Sequence, residues 1–192
     1  MRGAEITRET KETQIQLELN VDGDGTFTGT SGIGFFDHML TAFAVHGGLA
    51  LALHMQGDLH VDGHHSVEDV GIVLGKAFAQ AVNKGEIERF GNAYVPMDEA
   101  LAFCALDISG RPYLAFDAVF SNQSVGELDC CLVEEFFRAF AMNSGITLHI
   151  RLERGSNDHH KIEAIFKAVA RALKQAVTLR QGTVLSSKGV LA

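Results

Sequence analysis

The sequence predicts an α+β fold built by tandem duplication of a small sheet-plus-two-helix unit. Asp62–Asp69, which contains His-His-x-x-Glu, recurs near the end of the chain as Asn157–Ala164. Phe43–Gly48 recurs as Phe140–Gly145. Both halves also combine segments of strand-like alternation with segments of helical periodicity. These repeats predict two similar halves whose helical faces pack together.

The first half is predicted to begin with a charged leader, two strands and a helix. Gln14–Asn20 alternates polar and apolar residues, which is typical of a strand with one buried face. Val21–Ser31 turns through glycines around a short second strand. Apolar residues then recur at helical spacing from Phe35 to Phe43, and the Gly47-Gly48 pair ends that helix.

The remainder of this half is predicted as two strands and a helix. The strands are Leu49–Met55 and Leu59–Val61, joined near Gly57. A helix follows from about His65 to Val82, and Gly85 closes it.

The second half repeats this pattern. The turn Ser109–Pro112 separates two predicted strand regions. A later alternating strand lies between two predicted helices. In chain order these segments are Tyr94–Ile108, Tyr113–Phe120, the helix Leu132–Met142 ending before Gly145, the strand Ile146–Leu152 and the helix Ile162–Leu179.

The two halves are predicted to form a single domain, about 1–92 and 93–192, because no linker separates them. Phe140 follows Phe43 by 97 residues, whereas His159 follows His64 by 95. A two-residue deletion in the intervening hairpin would explain the difference.

The composition of the chain argues against several classes of function. The formal net charge of -8 argues against a nucleic-acid or anionic-membrane binder, because such proteins usually present a concentrated basic face. No run of 18 apolar residues and no signal-peptide core is present, and the three cysteines include no Cys-x-x-Cys. We therefore expect a cytoplasmic protein with reduced thiols.

The His-His-x-x-Glu motifs suggest metal binding. If each motif opens a helix, the Glu lies three and four residues after the two His, so all three side chains lie near one face. Adjacent helical residues diverge by about 100°, which places the two His better for two ions than for one. A single such pair could equally be solvated capping residues, but its repetition favours a two-metal site.

The duplication adds one more candidate donor to each half. His38 corresponds to Glu135, and both precede the His-His helix of their half. Nitrogen and carboxylate donors without thiolate suit Mn, Fe, Co, Ni or Zn, so the metal stays open. The eight candidate donors are His38, His64, His65, Glu68, Glu135, His159, His160 and Glu163.

Five motifs stand in order along the chain: Gly34–Met39, Asp62–Asp69, Ser109–Tyr113, Asp158–Ala168 and Ser186–Leu191. Together they resemble the imidazoleglycerol-phosphate dehydratase family of histidine biosynthesis, and the resemblance runs from about Glu5 to the end. The resemblance implies a duplicated α+β unit like domain 2 of ribosomal protein S5. It also implies two Mn²⁺ ions per subunit at subunit interfaces and a homo-oligomeric shell of twenty-four subunits built from trimers.

The resemblance also implies roles for individual residues. Seven of the eight candidate donors match the family's metal ligands, and Glu135 departs from a position where many members have His. Glu12 matches an acid that contacts substrate. The residues that match the phosphate-binding positions are Arg89, Arg111, Lys167, Ser187 and Lys188.

The implied chemistry converts D-erythro-imidazole glycerol phosphate to imidazole acetol phosphate and water. The proton that is lost has no neighbouring carbonyl to acidify it, so direct abstraction would be hard. Metal-bound imidazolate would push electrons toward the departing hydroxyl and give a diazafulvene-like intermediate with a more acidic C–H. Carboxylates then move the protons, and Glu12, Glu68 and Glu163 are the candidates.

Two other function classes stay open. A non-catalytic metal-storage or metal-sensing shell could use the same histidines but would not need the basic residues. A two-metal hydrolase would place water where the imidazole binds. Phosphate-dependent ligand binding and an assay against simple phosphate esters discriminate among the three.

Overall fold

A computed structural model of the protein describes residues 2–82 and 86–180. The first half contains four strands and two helices. They are β1 (Gly3–Glu9), β2 (Thr13–Asn20), β3 (Thr26–Thr30), α1 (Gly34–Gly47), β4 (Ala50–Gly57) and α2 (His64–Ala81).

The second half repeats this order and inserts a short two-stranded ribbon. Its elements are β5 (Phe90–Met97), β6 (Ala100–Asp107), β7 (Tyr113–Asp117), the ribbon strands β8 (Ser124–Val125) and β9 (Leu128–Asp129), α3 (Cys131–Ser144), β10 (Thr147–Arg154) and α4 (Asp158–Ala176).

The two main sheets have the same topology. Their strand orders are β1-β2-β4-β3 and β5-β6-β10-β7. In each sheet the first three strands pair antiparallel, and the last strand pairs parallel to its neighbour. The predicted α+β fold with two similar halves is confirmed.

The helices of the two halves pack against each other, as predicted. Helix α2 packs along α3, and α1 packs along α4. Gly71 and Gly75 allow the α2–α3 approach, because a Cβ at either position would lie 2.7 Å from a carbonyl oxygen of α3. Neither half could bury its helical face alone.

Aromatic rings join the helices in the core. The centroids of the fully buried Phe36, Phe136 and Phe166 rings are spaced by 5.3 Å, 5.3 Å and 6.5 Å. Rings at these separations attract each other in addition to the hydrophobic gain of burial. The core therefore fixes α1, α3 and α4 relative to one another.

Two helix ends follow the sequence signals closely. Gly48 and Gly145 end α1 and α3 in the left-handed conformation, which glycine adopts without steric cost. Helix α4 begins at Asp158, four residues before the predicted start at Ile162. Gly85, predicted to close α2, lies outside the described residues.

The N-terminal prediction was wrong. The supposed charged leader is strand β1, which pairs antiparallel with β2 along its whole length. As an edge strand it has only half-buried residues on its inner side, so its polar sequence lacks the apolar alternation of a central strand.

Two further strand predictions were also wrong. Leu59–Val61 belongs to the turn before α2, so the region between α1 and α2 contains no hairpin and the length difference between halves lies in the β4–α2 loop. Tyr94–Ile108 is two strands that reverse at Asp98-Glu99. Asp98 takes the left-handed conformation, with φ of 49°, which a glycine usually signals.

No helix among the described residues is long and apolar enough to cross a membrane.

Candidate active site

Both His-His pairs lie in the first turn of a helix, the arrangement on which the metal hypothesis depends. The side chain two residues before each pair accepts a hydrogen bond from the first His amide: Asp62 for His64 at 2.8 Å, and Asn157 for His159 at 2.9 Å. Each hydrogen bond satisfies an amide that has no partner within the helix, although Asn157 is the N-cap of α4 whereas Asp62 lies one residue before the Gly63 N-cap of α2. The two helix starts therefore present their histidines in the same way.

Three predicted donors meet where α1 packs against α4. The Nε2 atoms of His38 and His159 lie 3.4 Å and 3.2 Å from the same Glu163 oxygen. One donor atom from each residue lies within 4.8 Å of the other two, a spacing that can hold a metal ion. We call this group the α1–α4 cluster. The Phe35 ring packs edge-on against His159 at 4.8 Å and supports one side of the cluster.

Glu163 is the buried member of the α1–α4 cluster, with 9% of its side chain exposed. Burial alone would raise its pKa, but the Lys167 ammonium, 2.6 Å away, and His38 outweigh that effect and lower it. Glu163 is thus an ionised carboxylate that can bind a cation or accept a proton.

The corresponding donors of the first half are less gathered. His64 lies 3.8 Å from Glu68, one helical turn away. Glu135 instead faces Arg138 on its own helix at 3.5 Å. Within residues 2–82 and 86–180, the α1–α4 cluster is the one group of three or more donors close enough to share an ion.

The second histidine of each pair faces a carboxylate through Nδ1. His65 lies 3.0 Å from Asp58, and His160 lies 2.8 Å from Glu99. These hydrogen bonds raise the pKa of both imidazoles. When the proton is on Nδ1, the lone pair of Nε2 can bind a metal. A metal-binding histidine usually has its other ring nitrogen hydrogen-bonded in this way.

Glu12 lies beside His65. Its carboxylate lies 3.8 Å from His65 Nε2, and 53% of its side chain is exposed. On the other half, Asp98 lies 3.7 Å from His160 Nε2. Each His-His helix therefore has an acidic turn beside its second histidine.

The predicted phosphate ligands divide into two groups. Arg89 is buried and forms a bidentate ion pair with Asp107, whose other neighbour is the exposed Arg111 at 3.9 Å. Lys167 lies at the opposite end of the β5–β6 pair, 3.5 Å from the Met97 sulfur. At about 3.3 Å per strand residue, the two groups are roughly 20 Å apart. Ser187 and Lys188 lie outside the described residues.

The sequence analysis missed the carboxylates that support the site. Asp58, Asp98, Glu99 and Asp107 lie in loops or at a strand end and belong to no helical pattern. Glu99 could have been found by aligning β6 with β2, which places it opposite Glu12. The other three carry no recognisable local signal.

The donor chemistry is suited to a divalent metal. Imidazole nitrogens and carboxylate oxygens, with no thiolate among the candidate donors, fit Mn, Fe, Co, Ni or Zn. Lys167 would also compensate the charge of an anionic ligand near Glu163. Within the described residues, imidazole, carboxylate and ammonium groups therefore lie side by side at this site.

The chain is similar to known proteins over most of its length. The family profile described as imidazoleglycerol-phosphate dehydratase matches residues 31–173. The chain is 57% identical to the imidazoleglycerol-phosphate dehydratase of Gluconobacter oxydans, covering 99% of this chain and 98% of that protein. It is 55% identical to the Ruminiclostridium cellulolyticum enzyme of the same name, with both chains covered completely.

A solved structure extends the likeness to the fold. The crystal structure of imidazoleglycerol-phosphate dehydratase from Staphylococcus aureus superposes with a TM-score of 0.84 at 45% identity, covering 93% of this chain and 99% of that one. The matched range of the family profile and the full-length match to the Ruminiclostridium cellulolyticum enzyme both include the two histidine-bearing helix starts. The chain belongs to the imidazoleglycerol-phosphate dehydratase family.

Proposed function

We propose that the protein is a metal-dependent hydro-lyase that converts D-erythro-imidazole glycerol phosphate to imidazole acetol phosphate and water in histidine biosynthesis. Family membership supports the reaction. The observation that carries the metal dependence is the α1–α4 cluster, in which His38, His159 and Glu163 converge within 4.8 Å. The proposed setting is the cytoplasm, with a small phosphate ester as ligand and no nucleic acid or membrane partner.

The proposed cofactor is two Mn²⁺ ions per subunit. The α1–α4 cluster supplies one partial donor set, and His64, Glu68 and Glu135 are the corresponding residues of the other half. His65 and His160 would add their Nε2 atoms, since Asp58 and Glu99 face Nδ1. When bound, the ions would act as Lewis acids that hold the imidazole ring and stabilise its anionic form.

Carboxylates of this chain would move the protons. Glu163 is kept ionised by Lys167 and can accept a proton from the substrate. Glu12 is more exposed and lies beside His65, where its carboxylate can exchange a proton with a bound substrate. Glu68 is the alternative to Glu163, because the two occupy equivalent helix positions.

The phosphate site is proposed to be completed between subunits. Arg89 and Arg111 lie roughly 20 Å from Lys167 along the β5–β6 pair, so one phosphate cannot contact both groups of the same chain. A composite site formed by neighbouring subunits resolves this separation. We propose the twenty-four-subunit shell built from trimers as the assembly that supplies it.

A dehydration assay combined with metal analysis tests the proposal. The purified protein should form imidazole acetol phosphate, lose turnover after chelation and regain it on addition of Mn²⁺. Hydrolysis of simple phosphate esters without dehydration would instead identify a two-metal hydrolase. Metal binding with neither activity would identify a storage or sensing shell.

Arg111 provides the first prediction, which concerns the substrate phosphate. Arg111→Ala should raise KM by roughly 10- to 100-fold with kcat less affected, because an ionic hydrogen bond to phosphate is lost. Arg151→Ala is a matched control, since Arg151 is also half exposed and pairs with one acid, Glu153. Steady-state kinetics with metal analysis checks the result. A loss of bound metal with unchanged KM would contradict a phosphate role.

A further inference from the structure

Glu12 and Glu99 occupy equivalent positions in the two halves. Each lies at the turn before the second strand of its sheet and directly precedes a buried residue, Thr13 or Ala100. The buried positions that follow on β2 and β6 continue in the same spacing, as Ile15, Leu17 and Leu19 and as Ala102, Cys104 and Leu106. Each half thus has a glutamate at the same position of its sheet.

The two glutamates have different environments. Glu99 accepts hydrogen bonds from the Ser156 and Asn157 amides at 3.0 Å and 2.7 Å and contacts His160 at 2.8 Å. These bonds fix Glu99 to the start of α4. Among the described residues, the carboxylate of Glu12 has a single polar contact, His65 at 3.8 Å. Glu12 needs another means of orientation.

A polar network with a buried centre lies beneath the Glu12 turn. The Thr13 hydroxyl donates to Asp69 on α2 at 2.5 Å, and Arg8 forms an ion pair with Asp69 at 2.9 Å. Thr13 is 2% exposed and Asp69 5% exposed. The Thr10 hydroxyl accepts hydrogen bonds from the Glu12 and Thr13 amides at 3.0 Å and 2.9 Å. The backbone of the turn is therefore tied to α2 one residue after Glu68.

The second half has apolar residues at all three network positions. Val95 pairs across from Ala102 as Arg8 pairs across from Ile15. Ala100 corresponds to Thr13, and Ala164 follows His160 by four residues as Asp69 follows His65. These three residues are 7%, 1% and 0% exposed. The same fold thus forms without the network.

The network is also incompletely satisfied. The Arg8 Nε atom is buried and has no hydrogen-bond partner. A buried donor without a partner lowers stability, whereas Val95, Ala100 and Ala164 carry no such group. Folding alone therefore does not explain polar residues in this half.

We propose that Thr13 and Asp69 are positioning residues that orient Glu12 for proton transfer. The inference rests on the catalytic role proposed for Glu12. Asp58 contacts both Glu12 and His65. The Glu12 carbonyl accepts a hydrogen bond from the Asp58 amide at 3.1 Å, and the Asp58 carboxylate lies 3.0 Å from His65 Nδ1. Asp69 fixes one side of the turn and Asp58 the other, so Glu12 and His65 keep a defined relative position.

The test replaces the three network residues with the apolar residues found at the equivalent positions of the second half. The variant R8V/T13A/D69A should assemble and bind metal normally, because Val95, Ala100 and Ala164 already form this packing. We expect kcat to fall by roughly 10- to 100-fold with little change in KM, as for a misplaced catalytic group. In a Glu12→Gln background the same three substitutions should cause no further loss. Steady-state kinetics of all four proteins forms the cycle.

Single substitutions of Thr13 test the same inference with less disturbance of the fold. Thr13→Ser keeps the hydroxyl and should keep kcat, whereas the isosteric Thr13→Val should lower it by about tenfold. This pair carries the test if the triple variant does not fold.

Three outcomes overturn the inference. Unchanged kcat in both Thr13→Val and the triple variant would show that Glu12 needs no network. A further loss in the Glu12→Gln background would show that the network acts through another residue. Near-normal turnover of Glu12→Gln itself would remove the proposed role of Glu12, and that single variant identifies this failure separately.

Discussion

The two halves share one scaffold but place their buried polar groups differently. The first half has the Arg8–Asp69–Thr13 network beneath an exposed Glu12. In the second half, Glu99 is engaged by the start of α4, where Lys161 and Asp158 form a buried ion pair at 2.7 Å. One half thus uses polar groups to orient a free carboxylate, and the other uses them to fix a helix start.

The starts of α2 and α4 also differ in the number of polar contacts that hold them in place. Asp158 also accepts the Ser121 and Asn122 amides at 2.9 Å and 2.7 Å, which ties the preceding loop to α4. Gly63 and Ser66 occupy the corresponding positions on α2 and offer no such pair. The more cross-linked helix start carries His159 and Glu163, the donors that already converge with His38.

The largest expected contrast is between Glu12→Gln and Glu99→Gln. Glu12→Gln should lower kcat by about 10²- to 10⁴-fold, the usual contribution of a general acid or base. Its metal content and melting temperature should be unchanged. Glu99→Gln should lower the melting temperature, because Glu99 accepts two backbone amides of the α4 start, and should weaken metal binding through His160 Nδ1, while kcat of the metal-saturated protein changes less. Equal kinetic losses in the two variants would show that the halves have not diverged in this way.

The next contrast concerns the buried ion pair. Lys161→Met should lower the free energy of unfolding by about 3–5 kcal/mol, because Asp158 is left buried without its cation. Lys174→Met is the matched control, since Lys174 is exposed on the same helix. Urea unfolding of the two variants measures the effect. A small change for Lys161→Met would mean that the Ser121 and Asn122 amides suffice for Asp158.

A smaller effect is expected where α2 and α3 approach. Gly75→Ala should lower stability by about 1–3 kcal/mol, since the new Cβ would lie 2.7 Å from the Phe140 carbonyl oxygen. The equivalent residue of α4 is the buried Ala170, so that helix already accommodates a methyl group. Ala170→Gly should cost only about 1 kcal/mol. Similar losses for both would contradict a closer α2–α3 approach.

The smallest effect concerns Glu135, which corresponds to His38. Glu135→Ala should weaken Mn²⁺ binding by about tenfold, and Glu135→His should restore it, because imidazole and carboxylate can both bind this ion. Glu134→Ala serves as the control, as Glu134 pairs with the same Arg138. Titration calorimetry measures the affinities. Equal affinity in Glu135→Ala and the unmodified protein would exclude Glu135 from the ligand set.

Much of the fold was predictable because helical periodicity and repetition are local in the sequence. The glycines after α1 and α3 indicated both helix ends. Strand β1 was missed because an edge strand needs no strongly apolar face. The β5–β6 reversal was missed because Asp98 adopts a conformation that a glycine would have signalled.

The site was predictable to the extent that it is duplicated. The helical repeats identified His38, His159 and Glu163, which the structure brings together. The equivalence of Glu12 and Glu99 was missed because Glu99 lay inside the single strand predicted for Tyr94–Ile108, so the start of β6 was not recognised. Asp58 and Asp107 act through contacts between separate segments, which no spacing rule reveals.

The packing of α1 on α4 and of α2 on α3 bears on the origin of the chain. A lone ancestral half would have exposed the apolar face of both its helices, so it would have persisted only as a two-fold symmetric pair. In such a pair every substitution appears twice. Fusion of the two copies removed that constraint, and one copy of the turn could retain a free glutamate while the other became part of the framework.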